Sequence, residues 1–386
     1  MTQPPQSGPW GAQPPQQSGN WQGYPGGQHG PGPQGQWNPQ QQWPNPAPAP
    51  QKKGPLKWVL GAIALIAVIA VTAVVAVSCA GGNGSNNGNG GGIPSPGSKS
   101  DIASANDTGP VSVITEDPSC APWIPVNNIV ADTEKNTGWE QRDSSIAASA
   151  WTPDMRALYN SVTDAMRTAA DQTVPLVKLT PHRVLRELYQ QYIAYTREFI
   201  ARAATYSQAD NAVGTTSATI GTVITAICSA INTGAAAARG PLVQTAESLS
   251  KASPIRDVSD PQKFLESPDS QCTNWLRAGN ELTSNPVFAN WLKTDSNTPA
   301  SKWSPQDKLD NDAVKPVISH AIDSYAQLAQ QSSNQAISDF GNLGVQYGRA
   351  FLQGLPTYTA ADMNLYLVFL RAPGIITTGC NAVGVN

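Results

Sequence analysis

Residues 58–80 read WVLGAIALIAVIAVTAVVAVSCA, 23 positions without a charge and dominated by Ala, Val, Ile and Leu. At about 1.5 Å per residue such a helix crosses a hydrocarbon core of about 30 Å and satisfies its own backbone hydrogen bonds in lipid. Lys52, Lys53 and Lys57 stand at its start, and the uncharged run GGNGSNNGNGGG follows it. Cations mark the cytoplasmic flank of a span. The sequence therefore predicts a single-pass protein of the cell membrane, with its N-terminus cytoplasmic and its C-terminal domain extracytoplasmic. The lipid bilayer is its first partner. A cleaved signal peptide places its apolar core near the start of the chain; here 57 residues come first, so the anchor is expected to stay.

Outward from the span the chain divides into a tail (1–56), the transmembrane helix (57–80), a linker (81–110) and an exported part (111–386). The tail is built from Gln, Pro, Gly, Asn and Ser, with Trp10, Trp21, Tyr24, Trp37 and Trp43 spaced along it. It cannot bury enough apolar surface to offset its ordering entropy, so disorder is expected. Its spaced aromatics read as a spacer or as weak multivalent contacts. The Gly/Asn/Ser linker has the composition of a flexible tether. Ala76-Val77-Ser78-Cys79 is similar to the small-residue pattern before the acylated cysteine of bacterial lipoproteins. It departs from that pattern at Ala76 and in the long upstream tail, so Cys79 is read as an unmodified cysteine near the outer end of the helix.

Four of the 24 cations are Lys52, Lys53, Lys57 and Lys99, which leaves 20 against all 27 acids in residues 101–386, a net charge of −7. A nucleic-acid binder needs a basic stripe to neutralise phosphates, and none is present. Nucleic acid is not an expected partner. Cys120, Cys228, Cys272 and Cys380 form an even set on the expected oxidising side, so two disulfides are predicted. Three pairings are open. The favoured one joins Cys228 to Cys272 across a loop of about 45 residues and Cys120 to Cys380, the shorter loop being worth about 4 kcal/mol on the chain-entropy model. No Cys-x-x-Cys occurs, and His182 and His320 are isolated. No metal or cofactor is expected.

The exported part reads as all-α, an elongated helical bundle. Met155, Leu158, Val162, Met166 and Ala169 form one apolar stripe of a first helix. Thr180-Pro181 reads as a cap and first turn for a second helix reaching about residue 208. Arg183 and Glu187 on that helix read as a solvated ion pair. Asn211 to Ala238 carries no charge; its many Thr and Gly favour a buried helix over a second span. Shorter elements follow between prolines. From about Pro316 the spacing predicts one long helix, or two in line with a weak point at Gly341 and Gly344. Thr359 and Asp362 resemble a capping box before the last apolar helix.

A search for catalytic patterns returns fragments only. Ser248-Leu249-Ser250-Lys251 fits Ser-x-x-Lys but lacks its companion motifs, and GPGPQG (30–35) lies in the tail with no strand beside it. Glu134 with Glu140, or Asp307, Asp310 and Asp312, supply carboxylates that nothing in the sequence forces together. Trp123, Trp139, Trp151, Trp275, Trp291 and Trp303 read as core packing first and as sugar or protein anchors second. The protein is not expected to be an enzyme.

The Gln/Pro/Gly/Trp tail, the Lys-flanked span and the cysteine-containing Ala-rich helical part resemble the proline-rich single-pass membrane proteins of actinobacteria. That resemblance covers residues 1–100 best and carries no site residue with it. It implies a cell-envelope setting, as an accessory to envelope-lipid export or cell-wall assembly. The leading expectation is a non-enzymatic envelope protein presenting a helical interaction domain to another envelope protein or lipid. A carrier of lipid or glycolipid between the helices is the alternative, and a cell-wall-modifying enzyme the third.

Overall fold

The computed structural model describes residues 101–244, 255 and 257–385. The tail, the span with Lys52, Lys53 and Lys57, Cys79 and most of the linker lie outside the described residues. Ser248-Leu249-Ser250-Lys251 does too.

Among the described residues there are ten α-helices, several single-turn 3-10 helices and no strand. Helix α1 (Cys120–Thr137) stops at Gly138, whose φ of 73° lets its N–H turn back to the Glu134 carbonyl. Thr152 caps α2 (Pro153–Leu179) by accepting from the Met155 N–H, with proline at the first position. Helices α3 (Arg183–Arg202), α4 (Asn211–Asn232) and the short α5 (Ala235–Arg239) follow. Then come α6 (Cys272–Thr283), α7 (Pro286–Trp291), α8 (Pro305–Gln331), α9 (Gln335–Gly354) and α10 (Met363–Ala382). A Ser304/Asp307 capping box opens α8, and the predicted Thr359/Asp362 box is present in the turn leading into α10.

The element boundaries show that the domain is a tandem duplication. Helices α8, α9 and α10 begin 152 residues after α2, α3 and α4, and the single-turn helices between them keep the same offset. Helix α1 corresponds to α6 and α7 together, interrupted where Pro286 removes a backbone donor. Hydrogen bonds repeat as well. Tyr206 Oη donates to the Ser144 carbonyl at 2.7 Å and Tyr358 Oη to the Ser296 carbonyl at 2.6 Å. Trp151 Nε1 donates to Ile146 O at 2.9 Å and Trp303 Nε1 to Thr298 O at 3.0 Å. The equivalent helices α4 and α10 pack on each other at the centre, each also packed on the preceding helix of its own repeat.

The disulfides follow the repeats and overturn the favoured pairing. Cys120 bonds Cys228 and Cys272 bonds Cys380, each across 108 residues. Each bond ties the first helix of a repeat to its last. Cys228 and Cys272, close in sequence, belong to different repeats.

Three further expectations change. The predicted long helix after Pro316 is two: α8 starts earlier, at Pro305, and the chain turns back at Ser332–Asn334 so that α8 and α9 pack side by side. Gly341 and Gly344 are close-approach points, not a hinge; a Cβ there would lie 2.7 Å from the Trp275 ring and from Pro373 respectively. Thr180 does not cap α3. It is fully buried, and its hydroxyl donates to Asp117 Oδ2 at 2.5 Å, which ties the α2–α3 corner to the start of α1. Residues 211–238 divide into α4 and α5 at Gly234, where φ is 77°. Helix α4 belongs to a stretch, Gln208–Asn232, that is long and apolar enough to cross a membrane. It is spent on the core: Ile220, Val223, Ile224 and Ile227 are fully buried.

Candidate functional site

The residues singled out in the sequence do not converge. Trp123 and Trp275 are completely buried, and Trp139, Trp151 and Trp291 nearly so. His182 Nε2 is 3.0 Å from the Glu116 carbonyl, and His320 lines an open cleft beside Glu281 and Asn285. Among the described residues no group of three or more His, Cys, Asp and Glu is placed to hold a metal ion. Asp307 caps α8, Asp310 accepts from Asn290 and Gln306, and Asp312 pairs with Lys315 on the surface. Glu140 is exposed, whereas Glu134 is half-buried and burial pushes its carboxyl up to about 7.

The chemistry gathers instead where the first turns of α3 and α9 meet between the repeats. Arg183 is 2 % exposed, which corrects its reading as half of a solvated pair with Glu187. Its Nε and Nη2 donate to Asp339 Oδ2 and Oδ1 at 2.9 and 3.1 Å. Its Nη1 donates to the carbonyls of Asp107 and Gly109 at 3.0 and 2.9 Å, and its backbone N–H to Asp107 Oδ2 at 2.6 Å. One turn on, Arg186 Nη1 donates to the Ser104 carbonyl at 2.9 Å. The two arginines thus bind the extended arm 101–119 to α3, and Arg183 joins repeat one to repeat two. Helix amphipathicity does not reveal this, because a buried arginine and an exposed one look alike in sequence.

Glu187 and Asp339 occupy equivalent positions of the two repeats. Burial, reinforced by the neighbouring Asp339 carboxylate, pushes the Glu187 carboxyl well above its usual range. Arg186 Nη2 lies 3.8 Å from Glu187 Oε1, too far for a strong bond. Glu187 Oε2 and Arg186 Nε are buried with no protein hydrogen-bond partner. Both residues face a cleft of about 270 Å³ that is also lined by Gln190, Gln262, Phe264 and Asn334. The arm of repeat two closes one wall: Gln191 Nε2 donates to the Gln262 carbonyl at 3.0 Å and Phe264 N–H to Gln191 Oε1 at 2.7 Å. Chemically this is a hydrogen-bonding cleft between a cationic and a protonatable group. Leu188, Tyr189, Phe340 and Ile376 are fully buried among the helices.

Residues 102–384 match the family model described as mycobacterial ESX-1 associated protein. An uncharacterised protein of Mycolicibacterium smegmatis (strain MKD8) is 37 % identical over 346 residues, which cover 89 % of this chain and 91 % of the relative. No solved structure matches the chain.

Proposed function

This chain belongs to the family of mycobacterial ESX-1 associated proteins, and from that membership we propose that it is a membrane-anchored, non-enzymatic partner of the secretion machinery. In this reading the span at 58–80 holds the duplicated helical domain outside the membrane, where it docks on another envelope protein. The tail stays inside as a second contact region. The observation that carries it is the pair of disulfides, each closing one repeat. Such bonds persist in oxidising compartments and not in the cytosol. They give a rigid body whose two halves offer two related faces, which suits recognition rather than turnover.

Crosslinking followed by mass spectrometry on intact membranes tests this. Lysines of the domain, such as Lys308 and Lys315, are expected to link to secretion components exposed outside the membrane. Recovery of the chain linked only to itself, or of domain lysines linked to cytosolic proteins, contradicts it.

A further inference from the structure

Repeat two keeps the aromatic frame of repeat one, and Tyr366, where repeat one has Gly214, meets Trp291 edge-on at 5.1 Å, but a pocket is left beside Trp303. In repeat one the Tyr159 ring stacks on Trp151 with centroids 3.9 Å apart, and meets Trp139 edge-on at 4.8 Å. The Arg142 guanidinium lies over the Trp139 ring at 3.5 Å, and its Nη2 donates to Asn211 Oδ1 at 2.9 Å. The frame around this centre recurs in repeat two. Trp303 and Tyr358 sit 5.8 Å apart at 25°, as Trp151 and Tyr206 sit 5.7 Å apart at 32°. Trp291 meets Phe351 edge-on at 6.0 Å, as Trp139 meets Phe199 at 6.3 Å.

The filling residues are what differ. By the 152-residue offset Asn311 stands for Tyr159, Thr294 for Arg142 and Met363 for Asn211. Asn311 cannot fill the space, because it is held against the frame: it accepts from Trp291 Nε1 at 2.9 Å and donates to the Asp307 carbonyl at 2.8 Å. A pocket of about 120 Å³ remains, lined by Trp291, Trp303, Tyr358, Asn311 and Met363, with Leu292 and Asp295 at its rim. This is somewhat less than the about 150 Å³ of a cavity that takes a whole benzene ring, so the pocket holds part of a ring and leaves the rest at its mouth. Leu292 is 54 % exposed, an apolar step beside the opening.

We infer that this pocket is a socket for an aromatic side chain of a partner polypeptide, seated against Trp303 as Tyr159 is seated against Trp151. Repeat one shows the occupied form built from the chain's own residue, and repeat two the form that takes its ring from outside. A single buried aromatic anchor in a preformed pocket is how protein interfaces concentrate their energy. The socket deepens the proposed role and rests on reading the domain as a protein-binding body.

The test uses the full-length chain in detergent micelles, labelled with 15N at the tryptophan indoles, and N-acetyl-tyrosinamide as the probe. The Trp291 and Trp303 indole signals are expected to shift saturably. In Asn311→Tyr, which refills the socket by copying repeat one, that response is expected to be lost with the thermal midpoint not lowered. Tyr159→Asn is expected to open a second socket and add saturable shifts at Trp139 and Trp151; should that variant not fold, Asn311→Tyr carries the test alone. The inference is overturned if wild type shows no saturable shift, if Asn311→Tyr responds as wild type does, or if N-acetyl-alaninamide or N-acetyl-argininamide does as well as the tyrosine probe. The two readings fail separately: partners crosslinked to a domain with an unresponsive pocket sink the socket alone, and a responsive pocket on a chain without secretion partners sinks the proposed role.

Discussion

Arg183 carries more of the domain than any other single charged side chain described above, since it grips Asp339 of the other repeat and two carbonyls of the N-terminal arm. Removing one partner of a buried pair strands the other, so Arg183→Ala is predicted to cost about 3–5 kcal/mol. Lys315→Ala, which removes an exposed pair with Asp312, is predicted to cost less than about 1 kcal/mol. Urea unfolding of both variants checks the contrast. Glu134 gives a pH-dependent counterpart. Its folded value of about 7 lies above the ordinary 4.5, so the folded state binds the extra proton. The contribution is full below about 4.5 and is lost as pH rises through about 7. Glu134→Gln is predicted to flatten the fall in thermal midpoint across that window; an unchanged slope contradicts the assignment. Neither role was legible in the sequence, because burial is a tertiary property. Arg183 at i, i+4 from Glu187 has the same local pattern as a surface pair.

Helices α9 and α10 owe their close approach to glycine. A Cβ at Gly348 would lie 2.6 Å from the Phe369 ring and 2.9 Å from Ile322, both inside the core. Gly348→Ala is therefore predicted to destabilise by about 1–3 kcal/mol through overpacking, against a gain in intrinsic helix propensity. Gly384→Ala, at φ 87° in the turn after α10, tests a different cost, backbone strain with open space around it. Denaturation midpoints of the pair separate packing from strain. The helical class, the Thr359/Asp362 box and the buried nature of 211–232 were legible because apolar spacing and capping act locally. The turn at Ser332–Asn334 was not, since the apolar spacing carries on across it and Asn334 caps α9 without a proline or glycine nearby.

The duplication leaves short matching islands in the sequence. Cys120-x-x-Trp123 recurs as Cys272-x-x-Trp275, ASAWTP (148–153) as ASKWSP (300–305), and TYSQAD (205–210) as TYTAAD (357–362), all at one spacing. Between these islands the halves have diverged, as Tyr159 against Asn311 illustrates, so periodic apolar patterns alone hide the repeat. Its consequence is modular stability. Each disulfide closes an equal loop inside one repeat, so Cys120→Ser with Cys228→Ser and Cys272→Ser with Cys380→Ser are predicted to cost similar amounts, about 2–5 kcal/mol each. Unequal losses of several kcal/mol would show that the repeats do not share the load. In the proposed topology this duplicated domain matures on the oxidising side of the membrane. Blocking free thiols in intact cells before lysis and mapping peptides without reduction tests it most directly. Cys120 joined to Cys228 and Cys272 joined to Cys380, with none of the four alkylated, is the expected result. Four alkylated thiols, or bonds crossing between the repeats, would contradict it.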